Sequence, residues 1–140
     1  MVEIFYEDIE ILDLNPEFFV SWLSDVCREE TKTLGALSLI FCSDDYLLEM
    51  NKEYLDHDYY TDIITFDYSD EEISGDLFIS LDRVRDNAKQ NSVLEMNELN
   101  RVVVHGVLHL IGYGDKTEEE KIEMRSLENQ YLKIVSRETM

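Results

Sequence analysis

The chain has 140 residues, 44% of them hydrophobic, which suits a single globular domain over residues 1–140. No apolar run approaches the length that spans a bilayer and no secretory leader opens the sequence, so we expect a cytoplasmic location and no membrane partner. The 32 acidic residues outnumber the 12 basic ones and give a formal net charge of −20, which disfavours a free-standing nucleic-acid binder because a polyanion is repelled at long range.

Strand and helix patterns alternate through the first half of the chain. Apolar residues at every second position predict an edge strand from Val2 to about Asp8. The pair Asn15-Pro16 predicts a helix start, because asparagine caps a first turn and proline fits the first helical position. The elements predicted next are a helix from Glu17 to Glu30, a central strand from Leu37 to Phe41, and a helix capped by Ser43 that runs to about Tyr54.

Two strands and three helices are predicted in the second half. The strands, Asp62 to Tyr68 and Gly75 to Ser80, are joined by an acidic turn, either as a hairpin or as neighbours linked by a loop. The helices run from Asp82 to about Asn91, from Leu94 to Ile111, and from a capping box of Thr117 and Glu120 to about Arg137. The last helix carries residues spaced for burial on one side, namely Ile122, Met124, Leu127, Tyr131, Leu132, Ile134 and Val135. The predicted fold class is α+β, with a mixed sheet of about four strands, about five packed helices, and a metal site at the end of a buried helix.

The metal site is predicted from the motif H-x-x-x-H-x-x-G-x-x-D. His105 and His109 are four residues apart, so on a helix they lie on one face, one turn apart. Gly112 can end the helix in a left-handed conformation, which lets the chain turn back. Asp115 then follows closely enough for its carboxylate to approach the two imidazoles as a third ligand. Two nitrogen donors and one oxygen donor suit one zinc ion per chain with an open coordination position, which is typical of a catalytic site.

The residue after the first histidine separates two zinc chemistries. Peptidases of the H-E-x-x-H type need a glutamate there as general base, but this chain has Gly106. A minimal metallopeptidase-like hydrolase therefore remains an alternative that lacks its usual base.

The motif resembles the signature H-G-x-L-H-L-x-G-Y-D-H of the YbeY-type bacterial ribosomal-RNA maturation factors. His105-Gly106, Leu108-His109-Leu110 and Gly112-Tyr113 match that signature position by position. Upstream segments that are similar to family motifs include Asn51-Lys52-Glu53-Tyr54, Thr61-Asp62-Ile63-Ile64-Thr65-Phe66 and Gly75-Asp76-Leu77-Phe78-Ile79-Ser80. The resemblance implies a zinc-dependent, single-strand-specific endoribonuclease in 16S ribosomal RNA 3'-end maturation and ribosome quality control. It also implies contact with ribosomal RNA and with ribosomal proteins or a ribosome-associated GTPase.

Two positions depart from the family pattern. Asp115 stands where the family has its third histidine, and a negatively charged ligand makes the ion a weaker Lewis acid. Leu55 stands where the family usually has an arginine, which would be a natural phosphate contact.

The substrate-facing candidates are His57, two residues after Leu55, and the cationic cluster of Arg83, Arg85 and Lys89. A non-enzymatic alternative is an assembly factor that binds a ribosomal protein or GTPase through its acidic surface, with the metal as a structural support. The open coordination position argues against that alternative, because structural zinc sites are normally closed by four protein ligands.

Overall fold

A computed structural model describes residues 1–56 and 60–138, with side chains described as far as residue 135. Nine elements follow one another along these residues: β1 (Val2–Tyr6), α1 (Pro16–Glu29), β2 (Leu34–Cys42), α2 (Asp44–Leu55), β3 (Ile63–Asp67), β4 (Ile73–Ser80), α3 (Leu81–Gln90), α4 (Glu95–Ile111) and α5 (Glu118–Glu138). The predicted α+β class, with five helices and four strands, is confirmed.

The four strands form one mixed sheet in the order β1-β2-β4-β3. The strand β2 is parallel to both β1 and β4, and Leu39 is in register with Ile4 on one side and with Leu77 on the other. The edge strand β3 pairs antiparallel with β4 and places Thr65 opposite Leu77. The sequence left open whether these two strands form a hairpin or are neighbours linked by a loop. The structure shows the hairpin, because β3 and β4 pair antiparallel.

The helices cover both faces of this sheet unequally. The main core joins the sheet to α1, α4 and α5 and includes Trp22, Leu77, Val104 and Tyr131, all fully buried. A smaller cluster around Leu47 packs α2 on the other face. Because α4 lies between the sheet and α5, ten of its residues are buried, and the histidines it carries are held by a rigid element.

Most predicted boundaries differ from the observed ones by a few residues. The strand β1 ends at Tyr6, and the carboxylate of Asp8 instead accepts hydrogen bonds from the backbone N–H and hydroxyl of Ser43 at 2.9 and 2.5 Å. The capping box is confirmed, because Thr117 Oγ1 accepts from Glu120 N at 3.1 Å and Glu120 Oε1 accepts from Thr117 N at 2.9 Å. The predicted burial of Ile122 is wrong: it is 70% exposed, since it lies two residues from buried Met124 and so faces away from the core.

Two further features of the described residues bear on the expectations above. None of the helices within residues 1–56 and 60–138 combines the length and apolarity needed to cross a bilayer. Cys27 and Cys42 are both buried free thiols, and burial raises their pKa to about 11 and about 12.

Candidate metal centre

The helix α4 ends where the sequence motif requires a turn. Gly112 has a φ of +127°, which side chains disfavour, and its N–H bonds back to Leu108 O at 3.1 Å. The next N–H, that of Tyr113, also bonds to Leu108 O at 3.0 Å, which is the six-to-one hydrogen bond of a Schellman ending. The chain therefore reverses directly after the second histidine, as the glycine predicted.

The two imidazoles face one another through their Nε2 atoms, which are 2.9 Å apart. Their other ring nitrogens have separate partners: His105 Nδ1 lies 2.7 Å from Glu128 Oε2, and His109 Nδ1 lies 2.9 Å from the carbonyl oxygen of Tyr113. A ring that donates its Nδ1–H to an acceptor presents the Nε2 lone pair on its other side. Both lone pairs thus point at the same place, which is the arrangement that a metal ion requires.

Asp115 completes the cluster. Its carboxylate oxygen Oδ2 lies 3.5 Å from His105 Nε2, and its side chain is 38% exposed. One ligand atom from each of His105, His109 and Asp115 lies within 4.8 Å of the others. Two neutral imidazole nitrogens and one carboxylate oxygen are a donor set that suits zinc, so these residues fit the ion predicted from the sequence.

Glu128 supports this cluster and was not predicted from the sequence. It lies on α5, is only 5% exposed, and accepts hydrogen bonds from His105 at 2.7 Å and from Arg101 Nη1 at 2.8 Å. Burial raises the pKa of Glu128, but the bonds from His105 and Arg101 outweigh it and lower the pKa overall. One signal was present in the sequence: Glu128 lies between Met124 and Tyr131 on the buried stripe of α5, where an acid needs a partner.

A second support holds the turn that follows the helix. The hydroxyl of Tyr113 donates to Glu30 Oε1 at 2.5 Å, and the hydroxyl of Tyr131 donates to Glu30 Oε2. The hydrogen bond to Glu30 is the main cause that raises the pKa of Tyr113 to about 12. Because the backbone carbonyl of Tyr113 is the partner of His109, Glu30 holds in place the residue that orients the second imidazole.

The two histidines differ in their affinity for a proton. Burial opposes protonation of His105, but its hydrogen bond to Glu128 and the nearby charges of Glu128, Asp62 and Asp115 raise its pKa overall. Burial and the adjacent His105 lower the pKa of His109. Of the two rings, His105 therefore has the higher affinity for a proton, which competes with a metal for this ring.

A cavity of about 460 Å³ opens beside the cluster. Asp62, on the cavity wall, has a pKa raised by burial, although the charge of His105 acts in the opposite direction. Two structural motifs of the sequence thus meet here, the start of the β3 segment and the end of α4. The remaining lining residues are Asn87, Asn91, Glu98, Arg101, Val102, His105, Asp115, Lys121, Met124, Arg125 and Glu128.

The four residues predicted to face the substrate do not include any that the structure places at this cavity. His57 lies outside the described residues. Arg83 is paired with Asp44 and Asp86 at 3.0 and 2.8 Å, and Arg85 is paired with Glu95 at 3.0 Å. These two arginines and the exposed Lys89 do not line the cavity beside the histidines.

Gly106 lies on the part of α4 that packs against the sheet. A Cβ atom built on it would come within 2.7 Å of Ile63 Cδ1 and 3.0 Å of Leu77 Cδ1, both in the sheet. A glutamate at this position would be buried against the sheet instead of facing a ligand at the histidines. The close packing of α4 on the sheet therefore leaves no room for a glutamate side chain at this position.

The fold and the cluster together define an α+β protein with a candidate metal site of two imidazoles and one carboxylate. Comparison with known proteins narrows this class. The family model described as Endoribonuclease YbeY matches residues 5–136. The chain is 52% identical over 116 residues to an endoribonuclease YbeY of Cytophaga hutchinsonii, covering 81% of each chain, and 47% identical to that of Phocaeicola vulgatus, covering 93% of this chain and 95% of the relative.

The chain belongs to the endoribonuclease YbeY family. Its fold is similar to the solution structure of TM1509 from Thermotoga maritima, with a TM-score of 0.67 and 25% identity over 99% of this chain and 91% of that one. The resemblance inferred from the motif is thereby confirmed.

Proposed function

We propose that this protein is a zinc-dependent endoribonuclease that cleaves single-stranded RNA at the cluster of His105, His109 and Asp115. The observation that carries the proposal is the convergence of both Nε2 atoms and a carboxylate oxygen, beside an open cavity, in a chain of the endoribonuclease YbeY family. His105, His109 and Asp115 would hold a zinc ion, and this ion would supply a Lewis acid for phosphoryl oxygens and for water.

The chain's own residues have distinct parts in this reaction. His105, His109 and Asp115 hold the ion, while Glu128 and the Tyr113 carbonyl orient the two imidazoles through Nδ1. Asp62 is the carboxylate on the cavity wall whose pKa is raised by burial, so it can take a proton from the attacking water at its carboxylate oxygen.

The same proposal extends to the biological substrate. We infer that the RNA is 16S ribosomal RNA, cut during 3'-end maturation and ribosome quality control, in the cytoplasm. Basic ribosomal proteins or a ribosome-associated GTPase would be partners, and the net charge of −20 supports contact with the former. Pull-down of ribosomal particles with wild-type protein and with His109→Ala would separate binding from cleavage, since only cleavage needs the metal.

The test of the site combines metal content and activity. Metal analysis of the purified protein by emission spectroscopy should find about one zinc per chain. This zinc should be absent after His109→Ala. Asp115→Asn should weaken zinc binding and lower the cleavage of single-stranded RNA, whereas Asp70→Asn, an exposed acid in the loop between β3 and β4, should change neither. Full zinc retention by His109→Ala would refute the ligand assignment.

The metallopeptidase alternative predicts cleavage of a protein substrate instead of RNA. Because Gly106 packs on the sheet and provides no base, we expect wild-type protein to cleave single-stranded RNA and to leave casein intact. Cleavage of casein without cleavage of RNA would replace the proposed function with the metallopeptidase reading.

A further inference from the structure

A chain of net charge −20 needs a local source of attraction for RNA. At physiological ionic strength the Debye length is about 8 Å, so the charges that face a bound strand directly outweigh those on distant surfaces. The relevant charges are therefore those at the cavity beside His105, and their exposure decides which of them a strand can reach.

Among the described residues, four acids line this cavity: Asp115 is a proposed metal ligand, Asp62 is the proton acceptor proposed above, and Glu98 and Glu128 are buried at the floor. Glu98 and Glu128 are 6% and 5% exposed, and Glu128 is already bonded to His105 and Arg101. Arg101 is occupied in turn, because its second guanidinium nitrogen donates to Asn129 Oδ1 at 2.8 Å. Arg101 and His105 therefore occupy the carboxylate of Glu128 and leave it little capacity to interact with a ligand.

The cations at the cavity mouth are free by comparison. The side chains of Lys121 and Arg125 are 54% and 62% exposed, and their nearest acids, Glu118 and Glu128, are each 3.9 Å away, beyond hydrogen-bond distance. They are four residues apart on α5, so they lie on one face of that helix. Arg125 shares Glu128 with His105, which places this face beside the imidazole cluster.

Two neutral polar residues also line the cavity. Asn87 and Asn91 stand one turn apart where α3 ends, and both line the cavity. Their amides offer hydrogen-bond donors and acceptors without a negative charge, which suits ribose hydroxyls or base edges. The lining thus includes two exposed cations on α5 and two amides at the end of α3, beside the same cluster.

We propose that Lys121 and Arg125 bind the backbone phosphate next to the scissile one, with Asn87 and Asn91 contacting that nucleotide across the cavity. The inference rests on the proposed endoribonuclease function and assigns the substrate contacts to α5 and the end of α3, away from the cluster of Arg83, Arg85 and Lys89. It also supplies phosphate contacts in a chain that has Leu55 where the family usually has an arginine.

Salt dependence of binding tests these contacts without requiring cleavage. Fluorescence anisotropy of a labelled single-stranded RNA octamer, with EDTA present, gives Kd at several salt concentrations from about 50 to about 200 mM. Affinity that depends on phosphate contacts falls steeply over this range. For single strands each lost contact should reduce the slope of log K against log salt by about 0.7, so Lys121→Gln and Arg125→Gln should each show this reduction and the double variant about twice as much. Lys133→Gln, an exposed lysine on the same helix but away from the cavity, should keep the wild-type slope.

A modified substrate locates the contact relative to the cleaved bond. An RNA with one uncharged methylphosphonate linkage beside the scissile phosphate should raise KM for the zinc-loaded wild type by severalfold, with kcat little changed. The same modification should have no further effect on the double variant Lys121→Gln/Arg125→Gln, because the phosphate charge and both of its cationic partners are then absent. Zinc content should be unchanged in these variants.

The two levels of the hypothesis fail in different ways. If Lys121→Gln and Arg125→Gln keep the slope of Lys133→Gln while the wild type cleaves RNA, the phosphate contacts are refuted and the proposed function stands. If the wild type cleaves no RNA, the proposed function fails, whereas the slopes still report whether these cations bind phosphate.

Discussion

The ring nitrogen Nδ1 of His105 lies 2.7 Å from Glu128 Oε2, and this bond joins helices α4 and α5 across 23 residues of sequence. The indole of Trp22 fixes α5 independently, because its N–H donates to Tyr131 O at 3.0 Å in the buried core. The orientation of the first imidazole therefore depends on how α5 docks on the rest of the protein.

Substitution of Glu128 tests this dependence. Glu128→Gln keeps the shape of the side chain but removes the charge that orients His105, so zinc affinity should fall by about 10- to 100-fold. Competition with a chromophoric chelator measures the change. The matched control, Glu123→Gln, alters an exposed acid on the same helix and should leave the affinity unchanged; equal affinities for the two variants would show that the bond to His105 does not tune the site.

The phenol of Tyr113 provides a second test of orientation. Tyr113→Phe releases the turn from Glu30, so the carbonyl that faces His109 should be less well fixed and zinc affinity should fall by severalfold. Tyr131→Phe removes the other phenol from the same carboxylate without touching the turn. Both variants should lose about 1 to 2 kcal/mol of unfolding free energy in urea. Only Tyr113→Phe should weaken zinc binding, and a larger loss of zinc affinity in Tyr131→Phe would contradict the role given to the turn.

The raised pKa of His105 predicts a pH dependence of metal binding. A raised pKa means that His105 keeps its proton above the ordinary value of 6.5, and this proton must leave before zinc binds. Zinc affinity should therefore rise with pH and level off only above that ordinary value. Because Glu128 causes the shift, the midpoint of this rise should move to lower pH in Glu128→Gln, although the final affinity is weaker; a midpoint that does not move would exclude Glu128 as the cause.

The packing of Gly106 predicts the outcome of installing the peptidase base. Gly106→Glu would bury an unpaired carboxylate between α4 and the sheet, which should cost about 3 kcal/mol or more of unfolding free energy. Gly106→Ala is the control, because one methyl group requires only a small shift of Ile63 and Leu77 and improves helix propensity. Urea denaturation measures both, and a stable Gly106→Glu protein would mean that this side of the helix is open.

The sequence by itself determined the local part of the site. The spacing of His105 and His109 on a helix and the turn at Gly112 are properties of a few consecutive residues, because helical geometry fixes which side chains share a face. The capping box and the α+β class also followed from patterns of short range. The predicted burial of Ile122 failed because α5 turns a narrower apolar stripe to the core than its composition indicated.

Only the tertiary structure decided which distant groups surround the histidines. Glu128, Glu30 and Asp62 lie 23 or more residues from the histidine each one serves or faces, and no local periodicity records such a contact. The tertiary structure also decided which cations lie at the cavity. The cations of α3 are close together in sequence, but the docking of α5 places Lys121 and Arg125 in the cavity lining instead. The physical reason is that local backbone geometry sets the faces of a helix, whereas the burial of apolar surface between elements sets which faces meet.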